Sequence, residues 1–163
     1  MQVKDLEIAR HLANEIDGWM SDAEGEVLFD LASKVPAAQA IVEIRSWGGK
    51  STIWLAMGAS AGNGSKVYSV DPQGEADCDT GANVEDRYPT MIENLKNAGI
   101  RDRVTILPGR PEVVAQRRRL MVGLLWIDAF QENDSIKRAF AAWRPRLMPG
   151  AVVAFALMKY ALA

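Results

Sequence analysis

The chain carries one cysteine, Cys78, among its 163 residues. A single cysteine excludes an intramolecular disulfide and fits a reducing compartment. No neighbour in sequence is basic enough to hold that thiol as a thiolate. Histidine is equally scarce. His11 falls off the apolar stripe of its own helical segment, so it reads as a surface side chain rather than a general base. No run of about 18 apolar residues occurs, and the opening MQVKDLEIAR lacks an apolar core. A membrane span and a secretory leader are therefore not expected, and a cytoplasmic protein is the default expectation. Charge of one sign is lacking too. Nineteen basic against 21 acidic residues give a formal net charge of −2, which offers no footprint for nucleic acid. The one basic run, Arg117–Arg119, reads as a solvated helix end.

What remains is 48% apolar and 25% charged, at a length that buries roughly 70% of the unfolded surface. That composition predicts one domain over residues 1–163, with a helical cover at 1–36 and an α/β core at 37–157. Leu6, Ala9, Leu12, Ala13 and Ile16 follow a helical period. Ser21 and Glu24 have the spacing of a capping box for a second helix, whose buried face would be Val27, Leu28 and Leu31. Strands are then expected at 41–44, 66–70, 103–107, 120–127 and 151–156. Helices at 51–57, from Pro89 to Gly99, at 111–116 and at 134–143 separate them, and Pro149-Gly150 is expected to turn the chain into the last strand. Residues 73–87 are polar and read as a long loop, a lid or a locally mobile segment. Strand–helix alternation predicts a doubly wound, mostly parallel sheet.

The chain is organised around Ile41–Thr52, IVEIRSWGGKST, a strand passing through glycines into a helix. Such a junction leaves backbone N–H groups and the positive end of a helix dipole facing a ligand. Ligands of open α/β sheets lie beyond the carboxyl ends of the strands. Glu43, Asp71 and Asp128 sit at or near such ends, and Asp71 follows the glycine loop at a spacing suited to a ribose. Trp47 reads either as a stacking surface for a cofactor or as loop packing. Trp54, Trp126 and Trp143 read as core, while Trp19 and Tyr88 suit either an acceptor pocket or helix packing.

The ordered segments IVEIRSWGGKSTIWLA, VYSVDP, MIENLKNAGIRDRVTILPGRPEVV, VGLLWIDAF and AFAAWRPRLMPGAVVAF together resemble class I S-adenosylmethionine-dependent methyltransferases. They are most similar to the small-molecule O-methyltransferases of the macrocin methyltransferase and cephalosporin hydroxylase-like group, over roughly residues 18–157. The resemblance implies S-adenosylmethionine as cofactor and a small-molecule acceptor, with a hydroxyl oxygen as the atom methylated. By position, Glu43, Ser46 and Gly49 would line the methionine and ribose portion, with Trp47 and the amides through Ser51 beside them. Asp71 would bind the ribose hydroxyls, Gly109 and Arg110 would flank the adenine, and Asp128 would face the transfer cleft.

Three departures from the family pattern stand out. Arg45 occupies a position where the family carries a glycine that lets backbone approach the cofactor. Ala129-Phe130-Gln131 and Ala156-Leu157 stand where the family has histidine and His-Asp, so no metal site is expected and the catalytic base is unassigned, Asp128 being the sole candidate. The family's sheet continues for two strands beyond the fifth, which would leave the last strand here at an edge. A second chain or the tail Met158–Ala163 is expected to cover it. Other readings stay open: a degenerate or truncated cofactor-binding scaffold, a P-loop in which Lys50 and Ser51 meet phosphate and metal, or a nicotinamide-binding dehydrogenase.

Overall fold

The computed structural model describes residues 3–72, 88–128 and 133–156. The expected 73–87 loop, Cys78, Ala129–Gln131, Leu157 and the tail 158–163 lie outside the described residues.

Two helices lead in, α1 (Val3–Asn14) and α2 (Asp22–Ser33). The capping box is present: the Ser21 N–H donates to Glu24 Oε2 at 2.9 Å, and the Glu24 N–H donates back to Ser21 Oγ. The strands β1 (Ala40–Ile44), β2 (Lys66–Asp71), β3 (Val104–Pro108), β4 (Val122–Ile127) and β5 (Leu147–Phe155) alternate with α3 (Lys50–Ala61), α4 (Tyr88–Asn97), α5 (Pro111–Arg117) and α6 (Asn133–Trp143). All pairings are parallel, in the order β3-β2-β1-β4-β5. Strand order therefore reverses between β1 and β4, where a doubly wound sheet opens its crevice.

Period-two alternation divides the sheet's contacts. Ile41, Val67, Val104, Leu124 and Trp126 pack toward α1–α4, whereas Val42, Ile44, Val70, Leu107, Leu125 and Ile127 pack toward α5 and α6. Helix α3 lies between the sheet and the α1–α2 pair, so almost its whole circumference is buried rather than a single stripe. Trp54, Trp126 and Trp143 are core residues, as the sequence suggests.

Two expectations need correction. Val27 is 58% exposed, because the buried face of α2 runs through Gly25, Leu28, Phe29 and Ala32. Gly25 sets that rotation: a side chain there would collide with the Trp54 indole, so the helix presents bare backbone to α3. Strand β5 also begins four residues early, at Leu147, and Pro149-Gly150 lies within it. Its register against β4 shifts between Val122 and Leu124, and a proline is tolerated there because β5 is an edge strand. As expected for an edge, Val152 and Phe155 remain exposed.

Candidate functional site

The loop joining β1 to α3 is held in an unusual backbone form. Arg45 (φ 67°), Trp47 (φ 48°) and Gly49 (φ 92°) are all left-handed, and the two that are not glycine cost roughly 1–2 kcal/mol each. Left-handed residues placed along a loop let successive N–H groups converge on an anion. Here the anion is internal. Ser46 N–H and Trp47 N–H both donate to Asp71 Oδ2, at 2.9 and 3.2 Å. The carboxylate ending β2 thus faces the bend that ends β1.

Beneath the loop lies a buried polar truss. Glu43 Oε1 accepts from Ser51 Oγ, and Oε2 accepts from Thr52 Oγ1 at 2.5 Å. Ser69 Oγ donates to Ser46 Oγ at 2.6 Å, and Ser46 Oγ donates to Met91 Sδ at 3.6 Å. Asn94 Nδ2 donates to the Gly48 carbonyl at 2.8 Å, tying α4 to the loop. The Glu43 side chain is wholly inaccessible and so lies under the loop, not on a ligand-facing wall. Ser46 and Ser51 are buried as well. Thr52, Ser69 and Asn94 were not singled out from the sequence. Ser69 is directly opposite Glu43 in the β1–β2 register, a pairing visible once the strands are aligned.

The remaining site residues gather around this bend. Gly109 N–H donates to the Asp71 carbonyl at 2.9 Å, which brings the turn after β3 against the end of β2. Arg110 immediately precedes α5 as its N-cap and sits beside Glu112, at 3.9 Å. Asp128 N–H donates to the Ile44 carbonyl at 3.0 Å, placing Asp128 across the switch point from Arg45. Trp47 stacks on Trp19, with centroids 5.6 Å apart and planes 11° from parallel. Gly49 caps α3 in a left-handed conformation, and no side chain hydrogen-bonds the amides of that helix's first turn as a cap. Tyr88 is half-buried at the start of α4. Among the described residues, no three His, Cys, Asp or Glu side chains converge to hold a metal ion, and no helix is long and apolar enough to cross a membrane.

Burial dominates the electrostatics. It pushes the Glu43 carboxyl up to about 8, against the pull of its two hydroxyl donors, and the charges of Asp128 and Asp71 add to the rise. Asp128 is pushed up to about 6, first by burial and then by Glu24, while Arg45 opposes the shift. An acid whose folded pKa is raised binds more protons folded than unfolded, so its contribution to stability fades as pH rises. For Glu43 the window runs from about 4.5 to about 8. Glu43→Gln is accordingly expected to gain stability relative to the unmodified chain across that window, at up to about 1.4 kcal/mol per pH unit. Urea unfolding at a series of pH values measures the difference. A difference that does not change with pH would contradict the buried, protonated carboxyl.

This geometry argues against the P-loop expectation. The concavity that would cradle a phosphate is filled by Asp71, and the Ser51 hydroxyl, needed for a metal, turns inward to Glu43. Comparison with known proteins points elsewhere. A family model described as a methyltransferase domain matches residues 42–156. The chain is similar to the solved structure of cofactor-bound Rv0187 from MTB, at 26% identity and a TM-score of 0.58 over 86% of this chain and 61% of that one. It is also similar to the O-methyltransferase from Bacillus cereus in complex with SAH, at 25% identity and a TM-score of 0.61, covering 94% and 66%. The O-methyltransferase TomG from Streptomyces achromogenes, in complex with SAM, shares the fold at 23% identity and a TM-score of 0.65, covering 94% and 65%. The chain therefore spans about two thirds or less of the length of these relatives. The family match runs from within β1 to the residue after β5 and so takes in the whole bend, the switch point and all three strand-end carboxylates: the chain belongs to the methyltransferase domain family.

Proposed function

We propose that this domain binds S-adenosylmethionine across the β1–α3 bend and passes its methyl group to a small-molecule acceptor, at a hydroxyl oxygen, as in the macrocin methyltransferase-like group. The observation that carries the reading is that Ser46 and Trp47 N–H both donate to Asp71, which brings the carboxylate ending β2 against the β1–α3 bend over which the cofactor would lie. The residues suit the group. The uncapped first turn of α3 offers N–H donors to the methionine carboxylate, and Asp71 offers its carboxylate to the ribose hydroxyls. The turn at Gly109 and Arg110, bonded through Gly109 N–H to the Asp71 carbonyl, would flank the adenine. When bound, the sulfonium supplies an activated methyl group, and the protein's part is to orient it and exclude water. Asp128 would face the transfer cleft, where a neighbouring carboxylate favours a cationic centre.

One observation favours a second reading, a cofactor-binding scaffold without turnover. Arg45 holds a left-handed conformation at the position where the resembling family carries glycine. Its charge acts on Asp128 and opposes the rise that burial causes there.

Calorimetric titration with S-adenosylhomocysteine tests both readings. Binding is expected, with Arg45→Gly changing the affinity by less than about threefold. No heat and no thermal shift at millimolar ligand would refute the cofactor reading. A tenfold or larger gain in Arg45→Gly would show that the arginine obstructs the cofactor site and would favour the scaffold.

A further inference from the structure

We infer that Trp19, in the segment between α1 and α2, is a positioning residue for the candidate site: stacked on Trp47, it holds the β1–α3 loop in its ligand-ready form. The family match begins at Val42, so this segment lies outside it. The inference rests on the cofactor reading for its effect on binding, but not for its effect on the loop.

The argument starts from strain. Arg45 and Trp47 are both left-handed, and such conformations persist only where the surroundings over-determine them. Restraints from the core fold include the Val70 carbonyl, which accepts from Arg45 N–H at 2.9 Å, Asp71 on β2 and Asn94 on α4. Others come from the N-terminal segment. A Cβ on Gly48 would lie 3.6 Å from Ile16 Cγ2 and 4.0 Å from the Asp17 carbonyl oxygen. At Gly18 (φ 154°) it would lie 3.2 Å from Lys50 Cδ and 3.8 Å from the Trp47 ring. The segment therefore lies directly over the bend, and Trp19 continues it onto the indole of Trp47. Trp19 is 72% exposed and Trp47 37% exposed. With that exposure, core burial does not explain the arrangement. The parallel stack holds the side chain of Trp47, the residue whose backbone N–H donates to Asp71, so an N-terminal side chain reaches the bend through one intermediary.

Hydrogen exchange followed by NMR on the ligand-free full chain, with S-adenosylhomocysteine titration beside it, tests this. In Trp19→Ala the Ser46 and Trp47 amides are expected to exchange roughly threefold to tenfold faster, in keeping with the loss of one aromatic stack. The Val42 amide should be unaffected. Affinity for S-adenosylhomocysteine should fall by a similar factor, and Trp19→Phe should recover most of both effects. Val27→Ala, an exposed apolar residue on α2, should change neither. Unaltered exchange at Ser46 and Trp47 would overturn the inference, as would faster exchange spread evenly over β1 and β4, which marks general destabilisation of the variant. If the unmodified chain binds no S-adenosylhomocysteine while the two amides still respond to Trp19, the cofactor reading fails and the positioning role stands.

Discussion

Gly58→Ala should destabilise this domain by at least about 3 kcal/mol, against the usual preference for alanine in a helix. Helix propensity alone would reward the change by about 1 kcal/mol. The contact decides otherwise. A Cβ at Gly58 would fall 2.8 Å from Phe29 Cα and 2.9 Å from its carbonyl carbon, and these are backbone atoms of α2 that cannot rotate aside. Gly25 and Gly62 stand in the same relation to Trp54 and to the Ser33 backbone, so α2 and α3 touch at three glycine-made points. For a domain of this size the melting temperature should drop by roughly 6–12 °C. Gly64→Ala supplies the contrast. Among the described residues, no atom beyond its chain neighbours lies within 4 Å of the added carbon, and the positive φ resists it at roughly 1–2 kcal/mol. Equal losses in the two variants, measured by thermal or urea unfolding, would show that α2 can slide away from α3.

Asp71→Ala should produce the largest change in ligand affinity. The carboxylate accepts two backbone N–H groups of the bend, each charge-assisted and worth about 1.5–3 kcal/mol. Removing it releases Ser46 and Trp47 from their shared oxygen and deletes the proposed partner of the ribose. We expect S-adenosylhomocysteine to bind at least 100-fold more weakly, equivalent to about 3 kcal/mol. Asp71→Asn keeps one acceptor without the charge and should fall between. An Asp71→Ala protein that binds within a few fold of the unmodified chain would remove the central support for the proposed site.

Much of this was legible in the sequence because the relevant signals are local. Ser21 and Glu24 announce their cap, and the apolar run ending at Ile127 announces a strand buried on both faces. That Asp71 would face the glycine bend was legible from its distance to it in sequence. Other features are set by contacts distant in sequence. The rotation of α2 depends on what Gly25 meets, and a glycine reads as neutral until its neighbour is known. Asn94 reaches Gly48 across 46 residues, with no periodic signal to connect them. Glu43 is the instructive case. Its place in the strand suggested a ligand contact, but the two-residue alternation sets it on the side of Ile41, facing α3. Proline and glycine inside β5 concealed where that strand begins, because both residues normally mark its boundary.

The buried carboxyl also alters the ionic ledger of the whole molecule. A formal tally gives −2 at neutrality with every acidic side chain counted, and withdrawing Glu43 from that tally leaves −1. Melting the native domain at pH 7 is then expected to release protons to the medium, chiefly from Glu43. The heat absorbed in a scanning calorimeter should therefore depend on the ionisation enthalpy of the chosen buffer, by an amount that Glu43→Gln largely abolishes.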